Sequence, residues 1–240
     1  MVNVVIPMAG RGSRFEKAGY TFPKPLIEVN QKPMIQIVKD NLNINGTHLY
    51  LVLKEHYDKY SLKYLLPLIT KPDDCRIVEV NQVTEGAACT VLLAKDFINT
   101  DEELILANSD QWVDWDSSHF LKFMRGKKAD GGIVTFHACH PKWSFAKVEE
   151  ETGIITEVAE KKPISNIATV GIYYFKRGSD FVKYAEQMID KNIRTNGEFY
   201  VCPVFNEFIG DGLKIYNYPI AEMCGLGTPE DLNNFLKARK

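Results

Sequence analysis

Apolar positions in the first half of the chain alternate between short runs and helically spaced stripes. The run Val2–Pro7 is rich in valine and too short for a typical helix, which predicts a buried strand. Met34 to Asn41 carries helical apolar spacing, and His48 to Leu53 reads as a second strand. Tyr57 to Ile69 predicts a helix, Cys75 to Val80 a short strand, and Gly86 to Ala94 a packed helix of small residues. Leu104 to Asn108 is a further apolar strand, and Asp116 to Met124 opens with the acidic and serine residues of a helix start. Such alternation predicts an α/β fold with a mostly parallel sheet, covered by helices on both faces. Ligands of these sheets bind beyond the carboxyl ends of the strands. The loop after the first strand and the segment Asn108-Ser109-Asp110 both fall there.

The second half is less regular. Gly131 to His137, Phe145 to Glu149, Ile154 to Val158, Thr169 to Phe175 and Leu213 to Tyr218 read as strands. Phe181 to Ile189 and Phe199 to Phe208 read as helices. Thr228-Pro229-Glu230-Asp231 supplies a helix cap, a first-turn proline and acidic residues near the positive end of the helix dipole. No linker, repeat or low-complexity segment divides the 240 residues, so a single domain, 1–240, is expected.

Composition narrows the function classes. A formal net charge of -2 without a basic run disfavours nucleic acid as a partner. No apolar segment is long enough for a bilayer, and Met1 leads straight into a strand, so neither membrane insertion nor a secretion signal is expected. The five cysteines are odd in number, scattered and without a CxxC pair, which suits reduced thiols in a cytoplasmic protein. His137-Ala138-Cys139-His140 places its side chains on different faces of a strand and reads as structural rather than metal-binding.

The candidate chemistry begins after the first strand. In Ala9-Gly10-Arg11-Gly12-Ser13-Arg14 two glycines leave peptide N–H groups open to a ligand, and such loops cradle phosphate. Arg14 adds a planar fork of donors. Pro23-Lys24-Pro25 holds a lysine between two stiff residues, which suits a positioned cation. The spacing is neither the dinucleotide fingerprint nor a Walker loop. On its own, a tight strand-to-helix turn with a solvated arginine is an equal reading.

Three elements in order change that weighing. Ala9-Gly10-Arg11-Gly12-Ser13-Arg14, Pro23-Lys24-Pro25-Leu26 and Gln31-Lys32-Pro33-Met34-Ile35 resemble the opening of the sugar-phosphate nucleotidylyltransferase family. The resemblance implies a three-layer, mostly parallel or mixed sheet of the nucleotidyltransferase (GT-A-like) type, with a nucleotide half about 1–128 and an acceptor half about 129–240. It implies transfer of an NMP from an NTP to a sugar 1-phosphate with release of pyrophosphate, in the setting of surface polysaccharide precursors. Arg14 and Lys24 would then be catalytic, and Ala9, Gly10, Gly12, Ser13, Gln82 and Gly86 would bind nucleotide. Asp110 would hold Mg2+. Glu160 and either Lys161 or Lys162, in Glu160-Lys161-Lys162-Pro163, would grip the acceptor, with Gly171 leaving it room. The partners implied are an NTP and a phosphorylated small molecule, and homo-oligomer formation is compatible with the pattern.

Two departures stand out. Gly225 occupies the position where many members carry a second metal-binding aspartate, so Glu222 or the substrate phosphates would substitute. Pro141-Lys142-Trp143-Ser144-Phe145 replaces the usual aromatic-glycine pair at the sugar site. A cytidylyltransferase for a choline- or polyol-type phosphate is therefore an alternative, as is a catalytically silent nucleotide-sugar sensor. A glycosyltransferase is suggested by Asp114-Trp115-Asp116, although that segment is better read as a helix entry.

Overall fold

The computed structural model describes residues 1–239; Lys240, the last residue of the expected domain, lies outside the described residues. In chain order the elements are β1 (Val2–Pro7), α1 (Ser13–Lys17), β2 (Glu28–Val29), β3 (Lys32–Pro33), α2 (Met34–Leu42), β4 (Thr47–Leu53), α3 (Lys54–Lys59), α4 (Leu62–Thr70) and β5 (Cys75–Val80). They continue through α5 (Ala87–Leu92), α6 (Lys95–Ile98), β6 (Glu103–Ala107), β7 (Gln111–Val113), α7 (Ser117–Gly126) and β8 (Gly131–His137). The remainder is β9 (Ser144–Val148), β10 (Ile155–Glu160), β11 (Ile167–Phe175), α8 (Gly178–Asp190), α9 (Val204–Gly210), β12 (Ile215–Pro219), β13 (Met223–Gly225) and α10 (Pro229–Ala238).

One nine-stranded sheet draws on both halves of the chain, with the order β10-β9-β11-β6-β1-β4-β5 and β8 and β12 joined beside β11. Strands β6, β1, β4 and β5 run parallel, as the alternating pattern predicts. At β11 the direction reverses, and β11 pairs antiparallel with β6, β8 and β9. The sheet is therefore mixed, with its parallel part confined to the first half apart from the β12–β8 pair.

Strand alternation sorts the core into two layers. Val5, Leu49, Leu51, Leu104 and Leu106 face α5, α8 and α9. Val4, Ile6, Tyr50, Val52 and Ile105 face α2, α4 and α7. Strands buried on both faces read as nearly continuous apolar runs, and this is why β1 was visible as one. A third cluster joins Phe15, Ile27, Val29 and Met34 to Leu226, Leu232 and Phe235, so the opening segment packs under α10.

Caps set two boundaries as expected. Asp116 accepts the N–H groups of Ser118 (2.9 Å) and His119 (3.1 Å) at the start of α7, so Asp114-Trp115-Asp116 is a helix entry. Thr228 accepts the Asp231 N–H at 3.1 Å, with Pro229 in the first turn of α10.

Two expectations need correction. The single helix over Tyr57 to Ile69 is two helices, because Ser61 lies in the left-handed region (φ 51°) between α3 and α4. The helix over Phe199 to Phe208 begins only at Val204, after Pro203. Phe199 is instead tied to the loop before α5: its N–H donates to the Glu85 carbonyl at 2.8 Å, and its carbonyl accepts the Ala88 N–H at 3.0 Å. The aromatic and apolar content of 199–203 matches a buried helix, but the backbone there is irregular.

The α8–α9 layer rests on aromatic packing. Phe205 stacks on Phe175 at 4.7 Å and 9° and touches Phe208 at 5.7 Å. Replacing it leaves a cavity among rigid neighbours, and Phe205→Ala is expected to lower stability by about 3–5 kcal/mol. Leu93→Ala, at a half-exposed site, is expected to change it by less than about 0.5 kcal/mol. Urea denaturation monitored by fluorescence checks both.

Candidate active site

The carboxyl ends of β1 and β6 lie side by side, so Met8–Arg14 and Asn108–Asp110 open onto the same edge of the sheet. A cavity of about 490 Å³ lies there, lined among others by Ala9, Gly10, Gly12, Ser13, Arg14 and Lys24. Gly12 takes φ 67°, and a Cβ there would sit 3.2 Å from Lys24 Cβ, so the glycine lets the loop close against the Pro23-Lys24-Pro25 segment. Arg14 stands exposed in the first turn of α1. Lys24 Nζ meets Asp110 Oδ2 at 2.8 Å, across 86 residues of sequence.

The opposite wall is the turn before α5. Gly86 has φ 138°, and a Cβ there would lie 2.3 Å from the Phe199 carbonyl. Thr84 Oγ1 donates to the Gly86 carbonyl at 2.9 Å and shares a 2.6 Å bond with Thr90. Glu85 turns away to Arg194, at 2.5 Å, which removes its carboxylate from the cavity lining. Gln82 is exposed and lines a neighbouring cavity with Arg11, His56 and Tyr60 rather than this one. The shared wall of Gly12 and Val83 places the two side by side.

A second cavity, of about 300 Å³, adjoins the first through Arg14, Asn108, Asp110 and Gly227. Glu160, Lys161 and Gly171 line it, whereas Lys162 is exposed outside it. Of the two adjacent lysines, only Lys161 lines this cavity. Gly171 (φ 82°) sits where β11 changes register, and a Cβ there would collide with the Asn108 amide at 2.1 Å. Burial pushes the Glu160 carboxyl above its ordinary value, and the Ser144 hydroxyl that donates to it offsets part of that shift.

Glu222 does not face this cavity; it pairs with Arg239 at 2.8 Å. The carboxylate beside Gly225 is Asp231, whose Oδ2 would lie 3.5 Å from a Cβ at that glycine. Asp231 accepts from Thr228 at 2.8 Å and from Lys142 at 3.1 Å. Lys142 in turn lies 4.6 Å from the centre of the Trp143 ring. Glu198 and Tyr200 also line the first cavity, Glu198 just before and Tyr200 within the irregular stretch that precedes α9. Sequence reasoning missed Thr84, Glu198, Tyr200 and Asp231 as lining residues. The Gly197-Glu198 turn before Phe199 was the one signal that could have exposed Glu198 and Tyr200.

The arrangement places a glycine-rich loop, an exposed arginine and a fixed lysine around one space. A carboxyl-rich, lysine-bearing space adjoins it. Such a pair can hold a polyphosphate next to a second phosphorylated molecule. Comparison with known proteins agrees. The family model described as nucleotidyl transferase matches residues 3–215. The chain is 24% identical over 223 residues to the bifunctional protein GlmU of Methanocaldococcus jannaschii, covering 90% of this chain and 50% of that protein. It is also 24% identical to the UTP–glucose-1-phosphate uridylyltransferase AglF of Haloferax volcanii, covering 96% of this chain and 93% of the relative. Among solved structures, the nucleoside-diphosphate-sugar pyrophosphorylase of Vibrio cholerae RC9 superimposes with a TM-score of 0.83 at 27% identity, over 98% of this chain and 99% of that one. The chain therefore spans half the length of GlmU and almost all of AglF and the Vibrio protein, and it belongs to the nucleotidyl transferase family.

Proposed function

We propose that this chain transfers an NMP from an NTP to a sugar 1-phosphate, releasing pyrophosphate, in the cytoplasmic supply of precursors for surface polysaccharide. The observation that carries the reading is the junction of the two cavities at Arg14, Asn108, Asp110 and Gly227, next to the Lys24–Asp110 pair. The names of the relatives support the reaction class. Among the described residues no helix is long and apolar enough to cross a membrane.

In this reading an acceptor phosphate oxygen forms a bond to the α-phosphorus, and the bond from that phosphorus to the bridging oxygen breaks. The pyrophosphate leaves with the electron pair. No protein nucleophile is needed, so the side chains act by positioning and charge. The loop amides of Gly10 to Ser13 and Arg14 hold the β- and γ-phosphates. Lys24 meets charge at the α-phosphate, and Lys161 holds the acceptor phosphate. Glu160 accepts acceptor hydroxyls.

The donor set fits Mg2+. Gly227 leaves space on one side of Asp110 Oδ2, since a Cβ there would lie 2.7 Å from it, while Lys24 meets the same oxygen at 2.8 Å. Among the described residues no group of three or more His, Cys, Asp or Glu forms a full cage. One carboxylate completed by substrate phosphates is how Mg2+ is commonly held. Bound there, the ion would neutralise phosphate charge.

Pyrophosphate release should require both an NTP and a phosphorylated acceptor, assayed across the four NTPs, dTTP and a panel of sugar and polyol phosphates. Arg14→Ala and Lys24→Ala should each lower turnover about 100- to 1000-fold; a near-wild-type rate in either would remove that residue from the mechanism. Nucleotide binding by calorimetry without pyrophosphate release on any acceptor would favour the sensor instead.

Acceptor affinity should also depend on pH through Glu160. Its raised pKa means that it protonates, and stops accepting from hydroxyls, at a higher pH than an ordinary carboxylate. The acceptor KM is expected to rise as pH falls towards that value, while the NTP KM does not follow it. Glu160→Gln should flatten the profile at the weaker affinity.

A further inference from the structure

Lys161 is held by residues that none of the family motifs contains. Its backbone takes the left-handed region (φ 53°) immediately after β10, and its N–H donates to the Trp143 carbonyl at 3.1 Å. Its ammonium lies 4.3 Å from the centre of the Tyr200 ring and donates to the Tyr200 hydroxyl. The Tyr200 O–H in turn donates to Glu198 Oε2. Tyr200 lines the cavity on the nucleotide side, whereas Lys161 lines the one on the acceptor side. The contact therefore spans the junction between them.

We propose that Tyr200, backed by Glu198, is a positioning residue that aims the Lys161 ammonium at the acceptor phosphate. The identity of that phosphate rests on the transferase reading, but the contact does not.

The chemistry of the contact supports the role. A lysine has a long, freely rotating stem, and leaving it unrestrained would cost ordering entropy when the phosphate arrives. A carboxylate bonded directly to the ammonium would restrain it but would also cancel its charge. A phenol restrains it through a hydrogen bond while remaining neutral. Burial and the Glu198 carboxylate push the phenol pKa up, against an opposing pull from Arg14, so the O–H persists at neutral pH. Glu198 then fixes the direction of that O–H and leaves the oxygen lone pairs to Lys161. The segment carrying both residues is itself pinned, by the Phe199 bonds to Glu85 and Ala88 and by paired Thr195–Glu198 backbone bonds of 3.0 Å.

The test uses Tyr200→Phe, which keeps the ring and removes the bridging hydroxyl. The acceptor KM is expected to rise about tenfold, the size of one lost hydrogen bond to a charged group. The NTP KM and the thermal midpoint should stay unchanged. In a Lys161→Ala background the same substitution should add nothing, because the two residues act as one unit. A second measurement needs no turnover: limiting acylation of the full-length protein with acetic anhydride, read peptide by peptide by mass spectrometry. Lys161 should label several-fold faster in Tyr200→Phe than in the parent, with other lysines as the internal reference. An acceptor KM that stays level or falls would overturn the proposal, as would a loss that persists in full without Lys161, or unchanged labelling. Absence of turnover with every NTP and acceptor would overturn the transferase reading, and the labelling would still decide whether Tyr200 restrains Lys161.

Discussion

Lys24 and Asp110 form an ion pair 2.8 Å long, with side chains 22% and 26% exposed, at the rim where the parallel strands end. Both side chains are partly buried. Each fixes the other across 86 residues. Pro23 and Pro25 stiffen the backbone on one side, and β6 brings Asp110 up on the other. Removing either partner would leave the remaining charge half-buried and unpaired, so the pair constrains the whole edge of the sheet. The two cavities are disposed around it.

That edge is built by two devices of different kinds. The first is the reversal at β11. Antiparallel pairing with β6 lays a strand from the second half of the chain directly against the first half, and the register shift at Gly171 brings its backbone onto Asn108 and Gln111. Gln111 donates to the Gly171 carbonyl at 3.3 Å and is itself buried, so the contact is fixed rather than incidental. The second is the small apolar cluster that packs Phe15, Ile27 and Met34 under Leu232 and Phe235. It ties the opening segment to the chain's last helix, and so holds Gly227 and Asp231 close to it. One device uses backbone hydrogen bonds and the other apolar burial, and both act on the same rim.

The parts of the site that were legible in sequence are those with backbone reasons to exist. Gly12 and Gly86 need left-handed or otherwise strained geometry and close approach, Pro23 and Pro25 restrict the chain around Lys24, and Asp110 follows an apolar strand end. Each leaves a mark on a single strand of text. The antiparallel half was less legible because its strands were visible while their partners were not, and pairing is a long-range choice. Tyr200 was hidden because Phe199-Tyr200-Val201 in a chain rich in buried aromatics reads as core. Only the bonds from Phe199 to Glu85 and Ala88 show that the segment is a wall of the cavity. Asp231 was read as a helix-dipole residue, and it does serve the cap of α10, but the absence of a side chain at Gly225 also exposes it to the cavity.

Three lysines of the site each have a partner. Lys24 has Asp110, Lys142 has Asp231, and Lys161 has the Tyr200–Glu198 relay. A cluster of unpaired positive charge would destabilise the ligand-free fold through self-repulsion. Pairing Lys24 with Asp110 and Lys142 with Asp231 removes part of that cost and keeps the side chains ordered. It also sets the terms on which a polyanion binds, since phosphate oxygens must be better partners than the carboxylates they replace. For Lys24 that exchange would free Asp110 for a cation arriving with the phosphates. For Lys161 no exchange is needed, because its partner is neutral and its charge is already available. Lys161 and Lys24 thus differ in kind, although they line adjoining cavities. The difference follows from a phenol standing at position 200 where a carboxylate would have cancelled the charge.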